Sequence, residues 1–141
     1  MSSIKFIDHS AEVKGKIADI AEAVLEEACG ELESQVKRNT AVDTGKTKNA
    51  WTHRVIGSMM AGEFIGTVGN STENSIWEEF GTGEYALEGK GRKGGWFYVD
   101  EKGDGHFTRG KHPRRPFHNA YTSLKNRLIR KIQDAFKGGL S

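Results

Sequence analysis

Trp51-Thr52-His53-Arg54-Val55-Ile56 and Phe64-Ile65-Gly66-Thr67-Val68 read as two short strands. The stretch between them, Gly57-Ser58-Met59-Met60-Ala61-Gly62, is the loop of a hairpin. In the first strand Trp51, His53 and Val55 share one face, and Thr52, Arg54 and Ile56 share the other. Gly69-Asn70-Ser71 stops the second. This hairpin lies between two helical patterns, which makes the chain neither all-α nor all-β.

Ahead of the hairpin, Ile17, Ile20, Ala21, Val24, Leu25, Ala28, Leu32 and Val36 recur at three- and four-residue steps. Asp19, Glu22, Glu26, Glu33 and Lys37 occupy the opposite face. This pattern predicts a long amphipathic helix from Lys16 to about Asn39. The residues before it, around Ile4-Lys5-Phe6-Ile7, are expected to form a short strand or an arm. Downstream, Ile76 to Phe80 predicts a helical turn closed by Gly81. Trp96-Phe97-Tyr98-Val99 and His106-Phe107-Thr108 predict a second hairpin, turning at Lys102-Gly103-Asp104-Gly105. Pro116 suits the first turn of a last helix, where its missing N–H costs nothing. Phe117, Ala120, Tyr121, Leu124, Leu128, Ile129, Ile132 and Phe136 form that helix's apolar stripe, and Gly138-Gly139 are expected to end it. The expected fold is α+β, a small antiparallel sheet flanked by a long N-terminal and a C-terminal helix, in one domain spanning residues 1–141.

Hydrophobic residues make up 35% of the 141-residue chain and glycine contributes 18 residues, many of them in the aromatic-bearing loops. A thin core with loop-borne aromatics suits a protein completed by neighbours. The net charge of +2 hides a polarity. Residues 1–40 carry five basic and eight acidic side chains, residues 41–88 three and seven, and residues 89–141 thirteen and four. The acidic first part and basic last part could meet across subunits or within one chain, or the basic part could face DNA. The single Cys29 rules out an intramolecular disulfide framework. No apolar run approaches bilayer length and no signal core opens the chain, so the expectation is a soluble protein made in a cytoplasm, with no membrane partner.

No residue constellation points to catalysis. His106, His112 and His118 are six apart, which matches no zinc-ligand spacing. Glu78 and Glu79 diverge by about 100° on a helix, so they do not form an acid/base pair and read as solvated charges. Gly81-Thr82-Gly83 lacks the Lys-Ser/Thr of a phosphate loop and reads as a turn. Cys29 reads as a small core residue. Residues 90–93 and 111–115 are basic and lie near Trp96 and Phe97, which leaves a nucleic-acid-binding module in the basic C-terminal third as the alternative function.

Several short stretches, taken in order, carry a resemblance. They are Val42-Asp43-Thr44-Gly45, Val68-Gly69-Asn70, Trp77-Glu78-Glu79-Phe80-Gly81-Thr82-Gly83, Trp96-Phe97-Tyr98 and Arg114-Arg115-Pro116-Phe117. Over about residues 16–136 the chain resembles the gp-ten-like tail-component family of long-tailed bacteriophages, neck or tail-completion proteins. Phe117 and Ala120 fit the family's helix start, whereas Ala41 stands where proline is usual, and Lys46 and Ala50 depart mildly. The resemblance implies a non-enzymatic virion protein of the neck, without cofactor or metal. It would form a ring between head connector and tail tube and act in tail completion and head–tail joining.

The implied partners are further copies of the chain in a hexameric or alternatively dodecameric ring, the head-completion or connector protein, and the tail terminator and tail tube proteins. Genomic DNA would pass through the lumen without specific binding. The implied location is the virion, after assembly in the host cytoplasm. Expected interface residues are Trp77, Glu79, Phe80, Thr82, Arg92, Trp96, Phe97, Arg109, Arg114 and Arg115. Reversing Arg114 and Arg115 together is expected to impair assembly and leave the monomer folded.

Overall fold

The structure, a computed structural model, describes residues 8–42, 45–89 and 91–140. The strand or arm expected around Ile4-Lys5-Phe6-Ile7 lies outside these residues, as do Asp43 and Thr44 of the family stretch. Helix α1 spans Ser10–Asn39 and helix α4 spans Pro116–Leu140. Between them come a short α2 (Lys46–Asn49), strands β1 (Trp51–Ser58) and β2 (Glu63–Asn70), and α3 (Glu73–Phe80). Strands β3 (Trp96–Val99) and β4 (Gly105–Thr108) follow. The class is α+β, as read from the sequence. The four strands divide into two separate antiparallel hairpins, β1–β2 and β3–β4.

Helix α1 begins six residues before the apolar stripe predicts. Residues 10–16 are exposed on every side, so no burial pattern marks them. Asp8 marks the start instead, its carboxylate accepting the N–H of Ser10 at 2.9 Å. Helix α4 likewise continues through Gly138-Gly139 instead of ending there. A side chain at Gly139 would run into Ile20 of α1, so the glycine leaves room for the Ile20 side chain beside the end of α4.

The core is a seam of Ala28, Leu32 and Val36 from α1 with Ala120, Leu124 and Leu128 from α4, closed by Trp51 of β1. Val68 and Phe117 pack against it. Ile20, Leu25 and Ile132, on the same stripes, are only half-buried. Hairpin β1–β2 lays one face on α1, in the register His53↔Val68 and Val55↔Gly66. Gly66 is required there, because a Cβ would collide with the Cys29 sulfur. The end of α1 is tied to β1 by a relay in which Trp51 Nε1 donates to Thr40 Oγ1 at 2.9 Å and Thr40 Oγ1 donates to the Val36 carbonyl at 2.7 Å. Among the described residues no helix is long and apolar enough to cross a membrane.

Candidate assembly surface

Helix α3 and the segment leading into α4 are joined by carboxylates and backbone. Glu78 is 2% exposed, and its Oε1 accepts from Lys111 Nζ. Its backbone carbonyl accepts the N–H groups of Arg114 at 2.8 Å and Arg115 at 3.1 Å. The expectation that Glu78 and Glu79 are solvated charges is therefore corrected. Both point into the structure, because the chain returns to them more than 30 residues later with cationic and N–H donors. Glu79 accepts the N–H of Phe117 through Oε2 and that of His118 through Oε1, each at 2.9 Å. These are opening amides of α4, so the carboxylate satisfies orphan donors at the positive end of the helix dipole.

Three residues further on, Thr82 and Lys111 exchange backbone hydrogen bonds at 2.9 and 3.2 Å, and Thr82 Oγ1 accepts the Lys111 N–H at 2.9 Å. The Glu84 N–H continues the ladder to the Arg109 carbonyl at 2.9 Å. The two strands of this ladder touch through Gly83 (φ 62°) and Gly110 (φ 125°). A Cβ at Gly83 would overlap the Arg109 carbonyl, and one at Gly110 the Thr82 carbonyl. Tyr85 stacks on His112 across the same junction, ring centroids 3.8 Å apart.

Residues between these ladder strands form an arm, with β3–β4 at its end. Asp100 organises the tip. Its Oδ1 accepts the N–H groups of Lys102 and Asp104 at 2.9 and 2.8 Å, and Oδ2 lies 2.7 Å from His106 Nε2. These bonds, the His106 contact foremost, hold the Asp100 carboxyl below its usual range. Trp96, Tyr98 and Thr108 lie on one face of the arm and, with Trp77, Thr82 and Lys111 of the body, line a groove of about 460 Å³. Arg92 sits over the Trp96 ring, 5.6 Å from its centroid.

Alternation sends Phe97, Val99 and Phe107 to the other face, where they are 81%, 70% and 52% exposed. Phe97 and Phe107 are cross-strand partners with centroids 5.0 Å apart.

The ten residues named from sequence thus fall into two groups. Trp77, Phe80, Arg92, Phe97, Arg109 and Arg114 are exposed. Glu79, Thr82, Trp96 and Arg115 are partly enclosed, the first two by the ties just described. Arg115 adopts φ 52° with Nε buried. Sequence reasoning missed Glu78, Asp100, and the outward pair Val99 and Phe107. The unbroken apolar run 96–99, which puts apolar side chains on both faces of a strand, was the available signal for Val99.

The charge polarity is partly used inside the chain. Lys131 Nζ lies 2.8 Å from Glu27 and 2.6 Å from Glu31, and Arg127 lies 3.1 Å from Glu31. The lysine contact, with smaller help from Arg127, holds the Glu31 carboxyl below its usual range. Between α1 and β1, His53 Nε2 meets Glu26 Oε2 at 2.8 Å and Nδ1 lies 3.4 Å from Glu33 Oε2. The Glu26 bond, then Glu33, raises the imidazole pKa. Burial pushes the Cys29 thiol up, away from a reactive thiolate. Among the described residues no group of three His, Cys, Asp or Glu side chains is placed to hold a metal ion.

The fold defines a small α+β protein with a helical frame and a protruding aromatic arm. Residues 4–81 match the family HK97-gp10_like, described as "Bacteriophage HK97-gp10, putative tail-component". The chain belongs to this family, which makes it a structural component of the phage virion's tail. The matched stretch covers α1 to α3 and ends where the arm begins. Neither the curated proteins nor the solved structures contain a match to this chain.

Proposed function

We propose that this tail component forms a homo-oligomeric ring in the phage neck, between head connector and tail tube, and acts in tail completion and head–tail joining. Six copies are the preferred number and twelve the alternative. The observation that carries the reading is the outward apolar face of the arm, Phe97, Val99 and Phe107, on a chain of a tail-component family. An exposed apolar cluster of this kind is a contact surface awaiting a protein partner. Phe80, Arg109 and Arg114 are further exposed residues near the base of the arm, and Trp77 and Arg92 lie on its groove side. DNA binding is the weaker reading, because the net charge is only +2 and the first two thirds of the chain are acidic. Within the basic third, Lys111, Arg127 and Lys131 are engaged by carboxylates of the same chain.

The experiment is to produce phage lacking this chain and image the lysate. The expected result is separate heads and tails, restored to joined particles when the protein is supplied. Joined, infectious particles in its absence would overturn the reading.

A further inference from the structure

The arm and hairpin β1–β2 each leave one face bare, and the two faces are complementary. On β1–β2 the side chains turned away from α1 are Thr52, Arg54, Ile56 and Ser58, opposite Gly69, Thr67, Ile65 and Glu63. This face therefore runs from Arg54, through the exposed cross-strand pair Ile56–Ile65, to Glu63. The outer face of the arm carries Phe97, Val99 and Phe107, with exposed Glu101, Lys102 and Asp104 at the tip. Arg109, 3.9 Å from Glu84, stands at the base, whereas Arg92 lies on the groove side over Trp96. The orders are acidic–apolar–basic on the arm and basic–apolar–acidic on the hairpin. The strands of the arm are four residues long and those of β1–β2 eight, so the arm covers about half the length of that face.

A two-stranded hairpin is marginal in water by itself. The arm has four-residue strands and presents its aromatic face outward, away from the groove it shares with the body. Burying that face on another protein removes apolar area from water and fixes the ribbon at once.

We propose that the arm of one copy docks face-on against the bare β1–β2 face of a second copy, Phe97 and Phe107 against Ile56 and Ile65, with Glu101 and Asp104 near Arg54. The contact is heterologous: each copy gives an arm and receives one. It propagates from copy to copy, and closes if the rotation between copies permits. This inference rests on the ring reading and specifies which surfaces make the ring.

The test uses full-length protein in three forms. First, Phe97→Cys and Ile65→Cys single variants are mixed and treated with a short bis-maleimide; docking predicts a cross-link between the two variants, since sheets packed face to face lie about 10 Å apart, within that reagent's reach. Second, Arg54→Glu alone and Glu101→Arg with Asp104→Arg are each expected to weaken self-association by about tenfold or more, through like-charge contact. Third, Arg54→Glu combined with Glu101→Arg and Asp104→Arg is expected to restore it, read by sedimentation. All these positions are on the surface, and circular dichroism checks that each variant is folded. Rings in the wild type without the cross-link or the rescue would overturn arm docking and leave the neck ring standing. A wild type that never self-associates, in solution or in particles, would overturn both.

Discussion

Glu79 shows how much one side chain can hold in place. Its two oxygens take the N–H groups of Phe117 and His118, so it sets where α4 starts relative to α3. Glu79→Ala leaves those amides without a protein acceptor and is expected to destabilise the fold by about 1–2 kcal/mol, as lost N-terminal caps do. Urea unfolding measures this, and an unchanged midpoint would show that water replaces the carboxylate without loss. Leu128 belongs to the closed seam, 8% exposed between α1 and α4. Leu128→Ala is expected to cost about 2–5 kcal/mol. A loss under about half a kcal/mol, the usual size of a surface effect, would place that face outside the core. The double reversal of Arg114 and Arg115 is not the fold-neutral change expected from sequence. Arg115 has a buried Nε and a positive φ beside the Glu78 carbonyl, whereas Arg114 is exposed. Arg114→Glu alone is the substitution that probes the surface.

At the scale of elements, α1 and β1 are joined by His53 between Glu26 and Glu33. Lys37, 3.9 Å from Glu33, is the nearby cation on α1. The raised imidazole pKa means that the folded state binds the proton more tightly than the unfolded chain. The resulting stability is fully present below the ordinary value of 6.5 and is lost as pH rises through the higher folded value. His53→Gln is expected to flatten that decline. Melting curves on both sides of neutrality check it, and an unchanged pH profile in the variant would remove His53 from the clasp.

The buried parts of both long helices and hairpin β1–β2 were legible in the sequence because their apolar residues keep one period, and β3–β4 because two apolar runs flank a glycine turn. What was not legible depends on distant or absent partners. The first turns of α1 touch nothing, so no periodicity marks them. Glu78 reads as a surface acid until Lys111 is brought to it across 33 residues. Of the expected surface, the aromatics were readable as loop-borne, but Glu79 and Thr82 looked like contact residues when they are internal ties. Neighbouring letters do not say whether a polar side chain turns outward or back to its own backbone.

At the scale of the whole molecule, the net charge of only +2 and the acidic first two thirds of the chain oppose a polynucleotide. The isolated protein is expected to bind duplex DNA only weakly, at about 10⁻⁴–10⁻⁶ M, with affinity falling as salt rises. Nanomolar, sequence-dependent binding in a filter or fluorescence assay would move the function to the 96–115 segment.

The Thr82–Lys111 ladder has a separate consequence. The chain leaves the helical frame and returns to it at the same spot, with the exit and re-entry strands already bonded to each other. The intervening excursion is thus a cassette. Closing such a loop costs little extra free energy as it lengthens, since each doubling adds only about 0.6 kcal/mol. A lineage can therefore lengthen, trim or exchange it and change the arm's docking partner without renegotiating the α1–α4 seam. Replacing residues 86–107 by a short glycine–serine linker is expected to leave the helical circular dichroism signal and cooperative melting in place while abolishing self-association. Collapse of the fold would show instead that arm and frame are one unit, inherited together.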